Sequence, residues 1–152
     1  MSTELSIKIT HTIVRICYFF LAISVVVFPF VYDKIGIADD ISMLWIFIPY
    51  CLVVPAGYWA LLSLDRMLDN IKHEIVFDTS NTRALSHIVW ACFYAAWIGI
   101  IGGIALLCVT KYFCIYFFVL AVGELFMCLI CQIVKSVFRS AIELKEENDL
   151  TI

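Results

Sequence analysis

Glu124 is a carboxylate set among apolar residues, in the run Ala121-Val-Gly-Glu-Leu-Phe126. At bilayer depth an ionisable side chain is costly, and it marks either an ion or proton pathway or a polar contact between helices. Cys114, Phe117, Ala121, Glu124, Cys128, Cys131 and Lys135 recur in steps of three and four, which places them on one seam facing a bundle interior. One chemistry for that seam is proton or cation coupling in a small transporter. The other is a carboxyl group hydrogen-bonded across the bundle to fix helix pairing. No second polar residue in the apolar runs forms an evident pathway, which favours pairing.

Seven cysteines invite a redox or metal reading, and Cys128-x-x-Cys131 has the spacing of such a pair. All seven fall within apolar runs, where a thiol behaves as a small, polarizable hydrophobe. No second pair and no histidine lies near in sequence, so neither a metal nor a cofactor is expected. Nowhere does the chain bring together a nucleophile and its base or a glycine-rich phosphate loop. The expectation is a protein that is not an enzyme.

Four long apolar runs carry these residues: 13–32, 41–64, 84–110 and 112–134, with Arg15 and Glu124 as their only charged side chains. Crossing a bilayer as a helix takes about 20 such residues. The 152-residue chain is 64% hydrophobic with mean hydropathy +1.02, far above the soluble norm. Continuous apolar runs exclude the alternating strands of a membrane barrel. The expected fold is all-α, a single four-span integral membrane bundle over 1–152 in contact with the lipid bilayer. Lys8 and Arg15 ahead of the first run imitate a signal peptide, but the run is long and the small-residue site Gly36-Ile-Ala38 lies beyond it. It reads as an uncleaved first span.

Lys8, Arg15, Arg66, Lys72, Arg83, Lys135, Arg139 and Lys145 fall on one side of these spans, and only Lys34 and Lys111 on the other. The positive-inside rule then puts both termini, the loop 65–83 and the tail 135–152 in the cytoplasm. The net charge of −3 leaves no basic stripe for direct nucleic-acid binding.

In the third span Ala91, Ala95, Gly99 and Gly103 recur every fourth residue, a ladder that lets another backbone approach closely in lipid. Arg83 and His87 extend that stripe toward the cytoplasm, where an interfacial histidine is expected. Pro49, Pro55 and Gly57 in the second span predict a kink. Beyond that span, Leu64, Met67, Leu68, Ile71 and Ile75 keep helical spacing opposite a charged face. Asp78, Thr79 or Ser80 can then cap the third helix. Val137, Phe138, Ala141, Ile142 and Leu144 likewise prolong the fourth. These short cytoplasmic helical extensions form either a docking platform or interfacial helices lying on headgroups.

The loop Leu64-Asp-Arg-Met-Leu-Asp-Asn-Ile-Lys-His-Glu-Ile-Val-Phe77, with Asn81 and Leu85, and the tail Val137-Phe-Arg-Ser-Ala-Ile-Glu-Leu-Lys-Glu-Glu-Asn-Asp-Leu-Thr-Ile152 carry a further signal. In these segments the chain resembles the bacterial four-helix membrane family catalogued as domain of unknown function number 2975. Glu74 and Asp78 stand where members commonly have glycine and threonine. The resemblance implies no activity, but it implies a bacterial plasma membrane and a partner, since members are often encoded beside a small helix-turn-helix DNA-binding protein. Phe77, Asn81, Leu144, Glu146, Glu147, Asp149, Leu150, Thr151 and Ile152 are the residues expected to meet such a partner. Leu150 and Ile152 on alternate positions suit capture in an extended-strand groove or serve as a protease tag.

Regulation through a docked soluble partner is the leading expectation. The alternatives are a transporter using Glu124 and an accessory subunit, or a homo-oligomer, in which Gly99 and Gly103 face another chain.

Overall fold

The protein's structure is a computed structural model that describes residues 3–35, 42–73, 78–111 and 115–149. Four α-helices follow one another: α1 (Thr3–Ile35), α2 (Leu44–Lys72), α3 (Thr79–Thr110) and α4 (Ile115–Asp149). All four are long and apolar enough to cross a membrane. In hydrocarbon every backbone amide must be paired internally, which a helix does and an open strand does not. At about 1.5 Å per residue they run roughly 44 to 52 Å, well past a hydrocarbon core of about 30 Å. The surplus extends into a polar end, where α1 begins, α2 ends, α3 begins and α4 ends.

Among the described residues each helix contacts only its neighbour in sequence, α1 on α2, α2 on α3 and α3 on α4, and the two outer helices do not meet. Consequently α3 is the most enclosed helix, and its Ala91, Ala95, Ala96 and Leu106 are buried. Its glycines explain how two neighbours approach it. A Cβ at Gly103 would stand 3.1 Å from the Phe117 Cβ and from the Phe118 ring, and one at Gly99 would stand 3.4 Å from the Ala121 Cβ. One residue from that row, Gly102 faces the Pro49 ring, with its would-be Cβ 3.0 Å from Cγ. The expected small-residue ladder thus ends against the chain's own α4.

Pro49 and Pro55 lie inside α2, which remains one helix through both. An α-helix loses one amide donor at each proline. At Pro49 the ring is used for contact with α3. The α1–α2 seam is aromatic: Phe28 stacks on Tyr50 at 5.1 Å and on Phe47 at 5.7 Å. Ser24 and Tyr50 share a hydroxyl–hydroxyl bond, and Leu21 lies 3.2 Å from where a Gly57 Cβ would be. At the opposite end Lys111 closes α3 in the left-handed conformation, φ 59°, its amide donating to the Leu107 carbonyl at 3.0 Å. That single αL residue turns the chain without a glycine, at a strain of about 1–2 kcal/mol.

These contacts separate two glycines on adjoining helices. Gly103→Leu overfills the α3–α4 seam and costs about 1–3 kcal/mol of stability. Gly123 has nothing within 4 Å of a would-be Cβ. Gly123→Ala should therefore be neutral or gain up to about 1 kcal/mol from helix propensity. Thermal unfolding of both variants in mild detergent checks the contrast.

Candidate docking face at the polar end

Helix α3 starts after Asp78, whose extended backbone (φ −134°, ψ 151°) leads into the first turn. Ser80 Oγ donates to Asp78 Oδ2 at 2.6 Å, and Thr79 Oγ1 donates to Oδ1 at 3.3 Å. The Ser80 bond is the main reason that the Asp78 carboxyl is held below its ordinary value. An acidic residue here also complements the positive end of the helix dipole.

Asn81 follows on the inward face and is 0% exposed. The Asn70 amide, from the last turns of α2, donates to Asn81 Oδ1 at 2.8 Å and to Ser80 Oγ at 3.0 Å. A buried amide acceptor without such a donor would carry a desolvation cost of about 1–3 kcal/mol. The pair therefore fixes the end of α2 against the start of α3. From α1, His11 reaches two carboxylates of α2, Nδ1 to Asp65 at 3.1 Å and Nε2 to Asp69 at 3.4 Å. Three helices are thus tied at one end by side-chain bonds.

Two open cavities of about 470 Å³ each lie on either side of Arg83. The one between α2 and α3 is bounded by Arg66, Asp69, Asn70, Ser80 and His87. The other lies between α3 and α4, where Thr79, Thr82 and Ser86 face Lys135, Arg139 and Glu143. The hydroxyls of Thr82 and Ser86 donate to the carbonyls of Thr79 and Thr82, which leaves their oxygens as acceptors. Arg139 Nε donates to Glu143 at 3.0 Å, with both side chains largely exposed. An exposed pair of that kind contributes little to stability and remains available to a partner.

The sequence-derived residues divide across this face. Asn81 is enclosed, with its side-chain oxygen taken up by the Asn70 amide, and so lies beneath this face and not on its surface. Leu144 and Glu147 are exposed on the last turns of α4, and Glu146 and Asp149 belong to the same helix. Phe77, Leu150, Thr151 and Ile152 lie outside the described residues. Sequence reasoning placed Lys135 and Arg139 at the same end as Arg66 and Arg83, but it missed the bonds of Asn70 to Asn81 and of His11 to Asp65 and Asp69. The charged side of the α2 extension was visible in the sequence, but which neighbours meet it depends on how the helices pair.

Within the spans, Glu124 is half-buried and faces Cys92 of α3 with its side chain in reach of the thiol. Cys128 Sγ lies 3.7 Å from the Val89 carbonyl and completes this small polar seam. Ala121 on the same stripe is buried. Among the described residues no three His, Cys, Asp or Glu side chains converge as a metal-ligand set.

The family described as Protein of unknown function (DUF2975) matches residues 37–152. This chain belongs to DUF2975. The match takes in α2, α3 and α4 and therefore the whole α2–α3 connection and both cavities, while α1 precedes it. No curated protein and no solved structure matches the chain. Membership in DUF2975 names no activity, and the four apolar helices mark a multi-pass membrane protein, so its activity is left to be argued from the site.

Two substitutions test how this DUF2975 member holds the face. Asn81→Leu removes one of the two acceptors of the Asn70 amide, leaving only Ser80 Oγ, and should cost about 1–3 kcal/mol. Thermal unfolding in detergent reads that loss, while circular dichroism confirms that helix content is kept. Asp78→Ala should speed amide exchange at Thr79 and Ser80 near neutral pH, while the Asn81 amide keeps the backbone carbonyl of residue 78 as its acceptor. Because the Asp78 value is lowered from 3.8, its contribution is present above that pH and fades as pH falls through the folded value. The difference between wild type and Asp78→Ala should close over the same acid range.

Proposed function

We propose that this protein is a non-enzymatic regulatory membrane protein that docks a soluble cytoplasmic partner on its polar end. The observation that supports this reading is the α3–α4 cavity, where Arg83, Lys135 and Arg139 converge beside an α4 that continues to Asp149. An anchored face of fixed charges recruits through rim electrostatics, which steer encounter and set specificity more than raw affinity. The excess of Lys and Arg on this end favours a cytoplasmic orientation in the plasma membrane. A small helix-turn-helix regulator, the partner that the family resemblance implies, fits as the docked protein.

Glu124 supports a second reading, proton- or cation-coupled transport. Across the seam it faces the Cys92 thiol of α3, and its own stripe on α4 holds the buried Ala121 and the Cys128 thiol, a setting that suits helix pairing better than a hydrated pathway.

A pull-down from mild-detergent membranes tests docking, with the full chain, a chain ending after Leu144 and the double variant Lys135→Glu/Arg139→Glu as baits. Docking predicts that a soluble DNA-binding regulator is recovered with the full chain and falls at least about tenfold with either altered bait, the loss of about 1.4 kcal/mol. Equal recovery by all three baits contradicts it. Glu124→Gln should leave recovery unchanged, and loss of ion flux in that variant would favour transport.

A further inference from the structure

Three cavities between α2 and α3 form one furrow. The α2 residues on their walls, Ile48, Leu52, Pro55, Trp59, Ser63 and Arg66, advance in steps of three and four. Along α3 the wall residues Arg83, His87, Trp90, Tyr94, Ile98 and Ile101 do the same. Such spacing keeps each set on a single helix face. Leu52 belongs to both the aliphatic and the middle cavity, and the Trp59 ring of the middle cavity packs, tilted by 36°, against the His87 ring of the polar one at 5.4 Å. The three spaces are therefore consecutive stretches of one seam.

Polarity changes along it in the order of an amphiphile. At the polar end a cavity of about 470 Å³ presents the Arg66 and Arg83 guanidiniums with the hydroxyl of Ser80 and the amide of Asn70. Among the described residues neither arginine has a carboxylate within ion-pair distance. Asp69 shares that wall, but its carboxylate is engaged by His11. The next stretch, about 490 Å³, is bounded by Trp59, Trp90, Tyr94, Pro55 and Cys51 and is almost wholly apolar. From Arg66 to Leu52 the rise is about 21 Å along the helix, the depth from a headgroup through about one leaflet. Beyond Leu52 the furrow narrows to about 190 Å³.

We infer that the α2–α3 furrow binds one anionic glycerophospholipid from the leaflet at the polar end, with its phosphate on Arg66 and Arg83 and an acyl chain along Trp59, Trp90 and Tyr94. Guanidinium forks match phosphate oxygens in geometry as well as charge. Trp59 and Trp90 lie seven residues, about 10 Å, from the arginines, where their rings offer an acyl chain broad apolar walls. The charge pair selects an anionic headgroup over a zwitterionic one, and the apolar slot requires a chain.

The test is native mass spectrometry of the full chain in detergent, titrated with phosphatidylglycerol, with phosphatidylcholine, and with glycerophosphoglycerol as the chainless headgroup. Expected is a one-to-one phosphatidylglycerol adduct formed at least tenfold more readily than the phosphatidylcholine adduct, with no adduct from the headgroup alone. Arg66→Gln/Arg83→Gln should abolish that preference, while Lys135→Gln/Arg139→Gln on the other cavity should keep it. As a check independent of stability, phosphatidylglycerol with a brominated acyl chain should quench a variant retaining only Trp59 and spare one retaining only Trp97. Equal binding of the two lipids, a preference that survives in the double arginine variant, or an adduct with the headgroup alone would overturn the inference. So would a dimer that carries no lipid, which would put a second copy in the furrow.

Discussion

Close approach of two helices to α3 is the constraint on which the rest of the structure depends. Lipid tails are as apolar as leucine, so burial from water does not drive helices together, and contact must come from shape and polar bonds. Gly99 and Gly103 admit α4, and Gly102 admits the Pro49 ring of α2. The two seams carry different side chains because they use different parts of the α3 surface. Along the α4 seam lie Cys92, Glu124 and Cys128, small or weakly polar groups enclosed by helix contact. The α2 seam instead opens as a furrow with aromatic walls.

Polar bonds do at the membrane edge what small residues do at depth. Asn70 and Asn81 settle the register between α2 and α3, and His11 bridges α1 to Asp65 and Asp69. Register fixed there is transmitted along helices that stay continuous for about 30 residues. The two cavities that carry the proposed docking face and the furrow mouth share this fixed end, with Arg83 between them. A soluble partner on one side of Arg83 and an anionic lipid on the other would act on neighbouring walls of one helix start.

Much of this architecture was legible in the sequence because bilayer thickness and backbone pairing leave few choices for an apolar run of about 20 residues. The Glu124 seam was legible too, since Ala121, Glu124, Cys128 and Cys131 share one helical stripe, as were the continuations of α2 and α4 beyond the membrane. Pair identity was not legible. Gly102 stands one residue from the ladder and meets the Pro49 ring of α2 as well as the Phe117 ring of α4, a double contact that spacing alone does not predict. The family resemblance makes Asn81 an expected partner contact; in the fold it is buried, and Asn70 supplies the donor that lets it be so. Nor did the sequence reveal that α1 and α4 lie apart, since four amphiphilic stripes are compatible with several orders of helices around a bundle.

Serial contact centred on α3 is the central claim, and spin-label distances across the bundle test it most directly. Nitroxides on a cysteine-depleted chain at Phe20 of α1 and Phe126 of α4, both lipid-exposed, should give a distance well beyond that of a pair on the adjoining helices α3 and α4, at Trp97 and Phe126. Adjoining helices stand about 8–10 Å apart. If the α1–α4 distance proves as short as the α3–α4 distance, the helices close into a ring and the account built on α3 is wrong.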